Sequence, residues 1–251
     1  MSEITIRKCE ALGEVRACVA LQKEVWNFSD IELVPLRIFV TATKIGGQVI
    51  GAFEGGELIG FAMAIPAVRN GHAYLYSHML AVRQQFRNSG LGRKLKLFQR
   101  DDALARGIEL MEWTFDPLEI KNAYLNIEKL GAIARRYNLN QYGIISSPLQ
   151  GGLPTDRLVA EWWMRSKRVD RVLAGERPAP FEACTSIDVP AQIYEWKAAE
   201  ATRPRALEIQ AANREKFLTA FGQELGVLRY ERNANGDGRF LLGQWDEPWK
   251  Y

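Results

Sequence analysis

The chain is poor in the residues from which metal and hydrolase sites are usually built. It has two histidines, His72 and His78, and three cysteines, Cys9, Cys18 and Cys184, in 251 residues. Neither set has metal-ligand spacing, so no metal is expected. The odd, scattered cysteines make no disulfide framework and suit a reducing compartment. There is no Gly-x-Ser-x-Gly elbow to support a Ser-His-Asp hydrolase. The acidic positions between Asn233 and Arg239 are too few for a calcium loop. No window approaches the ~18 consecutive apolar residues of a membrane span. The polar start MSEITIRKCEALGEV does not read as a signal peptide, so a cytoplasmic protein with no membrane partner is expected. An excess of one charge is missing too. With 33 Lys and Arg against 30 Asp and Glu, the formal charge is +3, which argues against a nucleic-acid partner.

What remains is an ordinary globular composition, 47% hydrophobic and 25% charged, long enough for one large domain or a domain with an extension. Ile4–Arg7 alternates as a strand. From Glu14 to Trp26 the apolar residues recur at helical spacing, and Pro35 stands at the start of a second helix that Gly46-Gly47 breaks. Val49–Phe53 and Leu58–Ile65 read as a hairpin about Glu54-Gly55-Gly56-Glu57. Ala73–Val82 reads as a long strand, followed by a helix that ends at Gly107. Ile108–Phe115, Ile133–Leu139 and Leu158–Met164 read as strands, with a helix over Asn122–Leu130. The expected order is β-α-α-β-β-β-α-β-α-β, a mixed α/β layer about one sheet. The tail reads strand (Thr185–Val189), helix (Pro204–Phe221), then strands Gly226–Arg232 and Arg239–Trp245. The expected division is residues 1–165 as the main domain and 166–251 as an α/β extension packing on that core or on a partner subunit.

The stretch Arg87-Asn88-Ser89-Gly90-Leu91-Gly92-Arg93 puts two glycines where a strand hands over to a helix. Glycine weakens a helix by roughly 1 kcal/mol against alanine. The stretch is either a tight turn with solvated arginines or a place where a ligand nears the backbone. A helix start holds anions through its free amides and its dipole. Arg87 and Arg93 would add charge-assisted bonds. The spacing matches neither a Walker A loop nor the dinucleotide Gly-x-Gly-x-x-Gly pattern.

Arg87 to Gly92 matches the Gln/Arg-x-x-Gly-x-Gly/Ala pattern of the GNAT superfamily of acyl-CoA-dependent N-acyltransferases. Leu80-Ala81-Val82 resembles the strand that precedes it there. Asn126 to Ala132 resembles that family's later helix ending at Gly131. The resemblance spans roughly residues 3 to 165. The runs SHMLAV, WTFDPLEIKNAYLNIEKLGA and LPTDRLVAEWW are similar to a branch with a C-terminal extension. It implies a mostly antiparallel GNAT-like sheet flanked by helices, and acetyl-CoA or another acyl-CoA as co-substrate. It further implies that Leu80, Ala81 and Val82 pair with the pantetheine arm. Arg87, Asn88, Ser89, Gly90, Leu91, Gly92 and Arg93 then cradle the pyrophosphate. The expected activity is transfer of an acyl group, acetyl above others, to a small-molecule amine, amino-acid-like in this branch.

Such a transfer needs a proton acceptor for the amine, a stabilised oxyanion and an acid for the departing thiolate. The family's tyrosine acid aligns, counted from Gly131, with Ile127, so the sequence departs from the pattern. Tyr124, one turn earlier, is either the substitute or core packing. His78, placed by alternation on the face of Leu80, is either the base or a structural histidine. Asp116 ends its strand, where it marks a turn or binds the acceptor ammonium with Asn122. Asn126 is placed to reach CoA. Arg157 is either a clamp for an acceptor carboxylate or half of an internal salt bridge. Of Trp162-Trp163, one is expected in the core and the other against a pocket. Trp245 and Trp249 are expected in packing. The missing tyrosine leaves a non-catalytic acyl-CoA sensor as the alternative. The tail remains open as a homodimer or partner surface.

Overall fold

A strand buried on both faces is apolar almost throughout, and that pattern governs the first half of the chain. The computed structural model describes residues 3–177, 180–245 and 247. They fall into two units that divide after Glu112. The first runs β1 (Ile4–Lys8), α1 (Leu12–Trp26), α2 (Leu36–Lys44), β2 (Gln48–Glu54), β3 (Glu57–Arg69), β4 (His72–Val82), α3 (Leu91–Ala105) and the start of β5 (Leu110–Phe115). Its strand order is β1-β2-β3-β4-β5. The first four strands pair antiparallel, and β4–β5 is parallel at Leu75↔Met111 and Tyr76↔Glu112. On one face, Val49, Phe53, Phe61, Met63 and Met79 pack with Cys18, Leu21 and Phe39 of α1 and α2. On the other, Ile50, Ala52, Ile59 and Ala62 meet Leu91 and Leu95 of α3.

The second unit holds α4 (Ile120–Tyr124), a π turn over Leu125–Lys129, β6 (Ile133–Asn138), β7 (Arg157–Trp163) and α5 (Lys167–Leu173). It continues with β8 (Thr185–Val189), α6 (Ile193–Ala198), α7 (Arg203–Gly222), β9 (Leu225–Arg232) and β10 (Gly238–Gln244). Strand order is β7-β6-β9-β10-β8, and the pairs β7–β6, β6–β9, β9–β10 and β10–β8 are antiparallel. Strands from beyond residue 165 therefore enter the same ladder as β6, through Ala134↔Val227. Phe217 of α7 stacks on Tyr137 of β6 at 5.5 Å and meets Phe240 of β10 edge-on at 5.2 Å. The fold is the mixed, mostly antiparallel α/β arrangement expected, with elements in the expected order.

Several details differ from expectation. The short helices α5 and α6 lie where no helix was expected. Both Trp162 and Trp163 are buried, with Trp162 Nε1 donating to Leu130 O at 2.7 Å and Trp163 Nε1 to Glu161 Oε2 at 3.3 Å. Trp245 is half-buried, and Trp249 lies outside the described residues. The expected 122–130 helix begins at Ile120 and widens, with Leu130 N–H donating to Leu125 O at 3.0 Å. Its end is buried, so its carbonyls need partners. Arg168 of α5 supplies them, donating from Nε to Gly131 O at 2.9 Å and from Nη2 to Ile127 O at 3.3 Å. Burial pulls that guanidinium down to about 10.

Candidate functional site

The site begins with a break in β4. Opposite β3, Met63 pairs with Met79 and Ala64 with Ser77, which leaves His78 as the extra residue of a β-bulge. Alternation therefore slips: Ser77 bonds to α3 while Met79 packs on the α1–α2 side. The face shared by His78 and Leu80 cannot be argued from a period of two across such a bulge. The β4–β5 ladder comprises two residue pairs, and Ser77 to Val82 run on past its end. Strand edges beyond a ladder keep backbone donors and acceptors for a ligand. His78 is exposed, yet enough protein surrounds it that desolvation holds its pKa below the usual 6.5. It is therefore a neutral imidazole at pH 7, with Tyr76 beside it at 6.2 Å between rings. His72 opens β4 and is exposed.

Beyond Val82 the chain makes a short turn and enters α3. Asn88 (φ 62) and Gly90 (φ 82) are left-handed, and Gly90 is the N-cap. The first helical bond runs from Lys94 N–H to Gly90 O at 3.0 Å. Helix geometry leaves the amides of Leu91, Gly92 and Arg93 ahead of that bond without a helical acceptor. No acidic residue lies in this turn. The φ at Gly90 accounts for that glycine. Gly92 has no positive φ, and a Cβ there would meet only Leu80 Cδ2 at 3.6 Å. Protein packing does not require glycine at 92, and the open space above it suits a ligand's close approach. Arg87 is exposed and its Nε donates to Val82 O at 3.1 Å, which ties it to the strand end. Ser89 Oγ donates to Phe86 O at 2.6 Å. Arg83 is engaged with Glu24 and Glu57.

Behind this turn lies a buried polar layer that sequence reasoning missed. Lys96 Nζ donates to Ser77 Oγ at 2.8 Å, and Ser77 Oγ donates to Gln99 Oε1 at 3.0 Å. Gln48 Nε2 bonds Gln99 O and Asp102 Oδ2. Lys96 is 2% exposed, and burial pushes its ammonium far below the usual lysine range. The signal was there: Lys96 and Gln99 sit on the apolar stripe of Leu91, Leu95 and Ala103.

The second unit gathers the other candidates. Asp116 is buried; its Oδ1 accepts from Leu118 N–H at 2.8 Å and its Oδ2 from Lys197 Nζ at 3.0 Å. Lys197 also donates to Glu119 Oε1 at 2.9 Å. Desolvation opposes the Lys197 charge, but the two carboxylates outweigh it and raise the pKa. Desolvation raises that of Glu119. Asp116 thus already holds an ammonium, that of α6. Asn122 is exposed and accepts at Oδ1 from Asn126 Nδ2 at 3.3 Å, while Asn126 itself is 2% exposed. Tyr124 is half-buried, with Lys129 Nζ 5.3 Å and Arg232 Cζ 5.8 Å from its ring centre; Ile127 is fully buried. Arg157 makes no salt bridge with Asp156. The Asp156 carboxylate instead takes Tyr137 Oη at 2.8 Å, Asn140 N–H at 3.0 Å and Arg214 Nε at 2.8 Å. Lys197 and Arg214 lie too far along the chain for local spacing to link them with these residues.

Among the described residues no three His, Cys, Asp or Glu side chains group to hold a metal ion. No described helix is long and apolar enough to cross a membrane. Residues 17–125 match the model of the acetyltransferase (GNAT) family. No curated protein matches the chain. Solved structures share the fold. The ribosomal-protein-S18-alanine N-acetyltransferase from Escherichia coli is 18% identical, with 66% of this chain and 97% of that one covered and a TM-score of 0.50. A GNAT-family acetyltransferase from Streptococcus pneumoniae is also 18% identical, covering 63% and 98% at a TM-score of 0.50. A chain of the NatC complex bound to Gag peptide and CoA is 15% identical, covering 64% and 99% at 0.51.

Proposed function

We propose that this chain, which carries a GNAT acetyltransferase domain at residues 17–125, is an acyl-CoA-dependent N-acyltransferase acting on a primary amine of a small, amino-acid-like molecule. The observation that carries the proposal is Gly92, a glycine in a helix's first turn that neither φ nor packing demands. The residues present fit CoA. Amides of Leu91, Gly92 and Arg93 would meet the pyrophosphate, and Arg87 would add a charged donor. The β4 edge from Leu80 to Val82 would pair with the amide groups of the pantetheine arm. Acyl-CoA would supply the activated thioester. His78, accessible and neutral at pH 7, would accept the proton of the incoming amine.

Thermal shift with CoA and acetyl-CoA tests the donor half, because a ligand that binds the folded state must raise its stability. No stabilisation by either would refute it. Thiol release from acetyl-CoA over a panel of amines tests transfer. Binding of CoA with silence across that panel would identify a sensor on the same fold.

A further inference from the structure

We propose that Arg157 anchors the carboxylate of an acceptor that carries both an amine and a carboxylate. The proposal rests on the acyl-transfer function above, and it is made from second-unit residues alone.

Two carboxylates share Arg157's surroundings, Asp156 and Glu119, and neither pairs with it. Asp156, its chain neighbour, is held by Arg214, Tyr137 and the Asn140 amide. Glu119 is near enough to feel the Arg157 charge, yet it bonds Lys197, as does Asp116. Two cations from the C-terminal helices, Lys197 of α6 and Arg214 of α7, thus occupy both. Among the described residues Arg157 has only neutral acceptors, donating from Nη1 to Asp156 O at 2.8 Å and from Nη2 to Gln150 Oε1 at 3.1 Å.

The guanidinium is nevertheless fixed in place. Gln150 is 4% exposed and is itself held, Nε2 donating to Pro154 O at 3.0 Å. Tyr142, 46% exposed, presents its ring centre 5.8 Å from Arg157 Cζ. A guanidinium has five N–H donors. Two are used, so three remain on a half-buried, oriented cation that makes no ion pair among the described residues. That arrangement recognises a planar anion with two oxygens, which a carboxylate supplies in bidentate geometry. An arginine held in advance loses little freedom on binding. Lys197 and Arg214 act as positioning residues: they keep the local acids from capturing Arg157.

The test uses the full chain, following the Arg157 Nε–Hε resonance by NMR. The probes are common amino acids of both hands, their carboxamides and inorganic phosphate. At least one amino acid should shift the resonance saturably at millimolar concentration, its carboxamide binding at least tenfold more weakly. Arg157→Gln and Arg157→Lys lack that resonance, so in these two variants binding is read as thermal stabilisation by the same amino acid. Arg157→Gln should abolish it without changing the stabilisation by CoA, and Arg157→Lys should restore part of it. Lys197→Met should weaken the same amino acid about tenfold by freeing Glu119 to pair with Arg157. Lys197→Met with Glu119→Gln should restore it, which a purely structural role for Lys197 would not. A resonance unmoved by every amino acid, acids and amides binding alike, or phosphate binding tightest would each overturn the anchor. Thiol release indifferent to the carboxylate would overturn it too, while leaving acyl transfer standing. Acid-selective binding without thiol release would support the anchor and overturn acyl transfer.

Discussion

Replacing Gly92 with alanine should strengthen the fold and weaken the ligand site at once. The new Cβ meets Leu80 Cδ2 at 3.6 Å, ordinary van der Waals contact, and nothing else within 4 Å. The backbone is helical, so alanine should gain about 0.5–1 kcal/mol over glycine. At about 2–4 °C per kcal/mol for a chain of this size, the free protein should melt about 1–4 °C higher. With CoA present the sign reverses. Were the pyrophosphate to lie against this amide, the methyl group would hold it off, and a tenfold loss of affinity is expected. CoA at a hundred times its Kd stabilises by about 2.7 kcal/mol, and a tenfold weaker site leaves about 1.4. The CoA-induced shift should therefore shrink by about 3–5 °C. Gly92→Asp should show the same split more strongly, because the helix start welcomes the carboxylate that repels phosphate. Differential scanning fluorimetry with and without CoA reads both numbers. A higher melting point with an undiminished CoA shift would refute the cradle. A lower one would refute the local packing argument.

Tyr230→Phe should raise stability by about 1 kcal/mol in urea titration, since it removes a buried hydroxyl without a hydrogen-bond partner. Arg168→Met should cost about 3 kcal/mol in the same assay, because it strips the donors from Ile127 O and Gly131 O at a buried helix end. For His78 the folded state holds the proton less tightly than the unfolded one. Its contribution to stability should be complete above pH 6.5 and fade as pH falls below that value. His78→Gln should flatten this acid limb of stability and, if His78 is the base, lower kcat about a hundredfold. An imidazole that titrates by NMR at or above 6.5 would contradict the first, and an unchanged kcat the second.

The order of elements was legible because each carries its own period and breakers: the Glu54–Glu57 hairpin, the Gly46-Gly47 stop, the Pro35 start. The α3 turn was legible as well, since a strand, a glycine pair and a helix follow one another directly. Features that depend on long-range contact were not. The His78 bulge exists only in pairing with β3, whose partner residues lie some fourteen positions away. Lys197 meets Asp116 across 81 positions, and Arg214 meets Asp156 across 58. Whether Arg157 is paired turns on that second contact, which Asp156-Arg157 as a dipeptide does not reveal. The helices α5 and α6, seven and six residues long, are too short to show a helical period.

The widened turn at Leu125–Lys129 bears on how this chain is to be aligned with any relative. One additional residue in a helix rotates everything ahead of it by about 100° relative to everything behind it. Counting back from Gly131 in steps of an α-helix lands on fully buried Ile127, but the count loses phase inside the turn. Half-buried Tyr124 stands on the far side of that slip, immediately before Leu125. A count along the chain therefore does not by itself fix which residue of this helix takes a given direction in space.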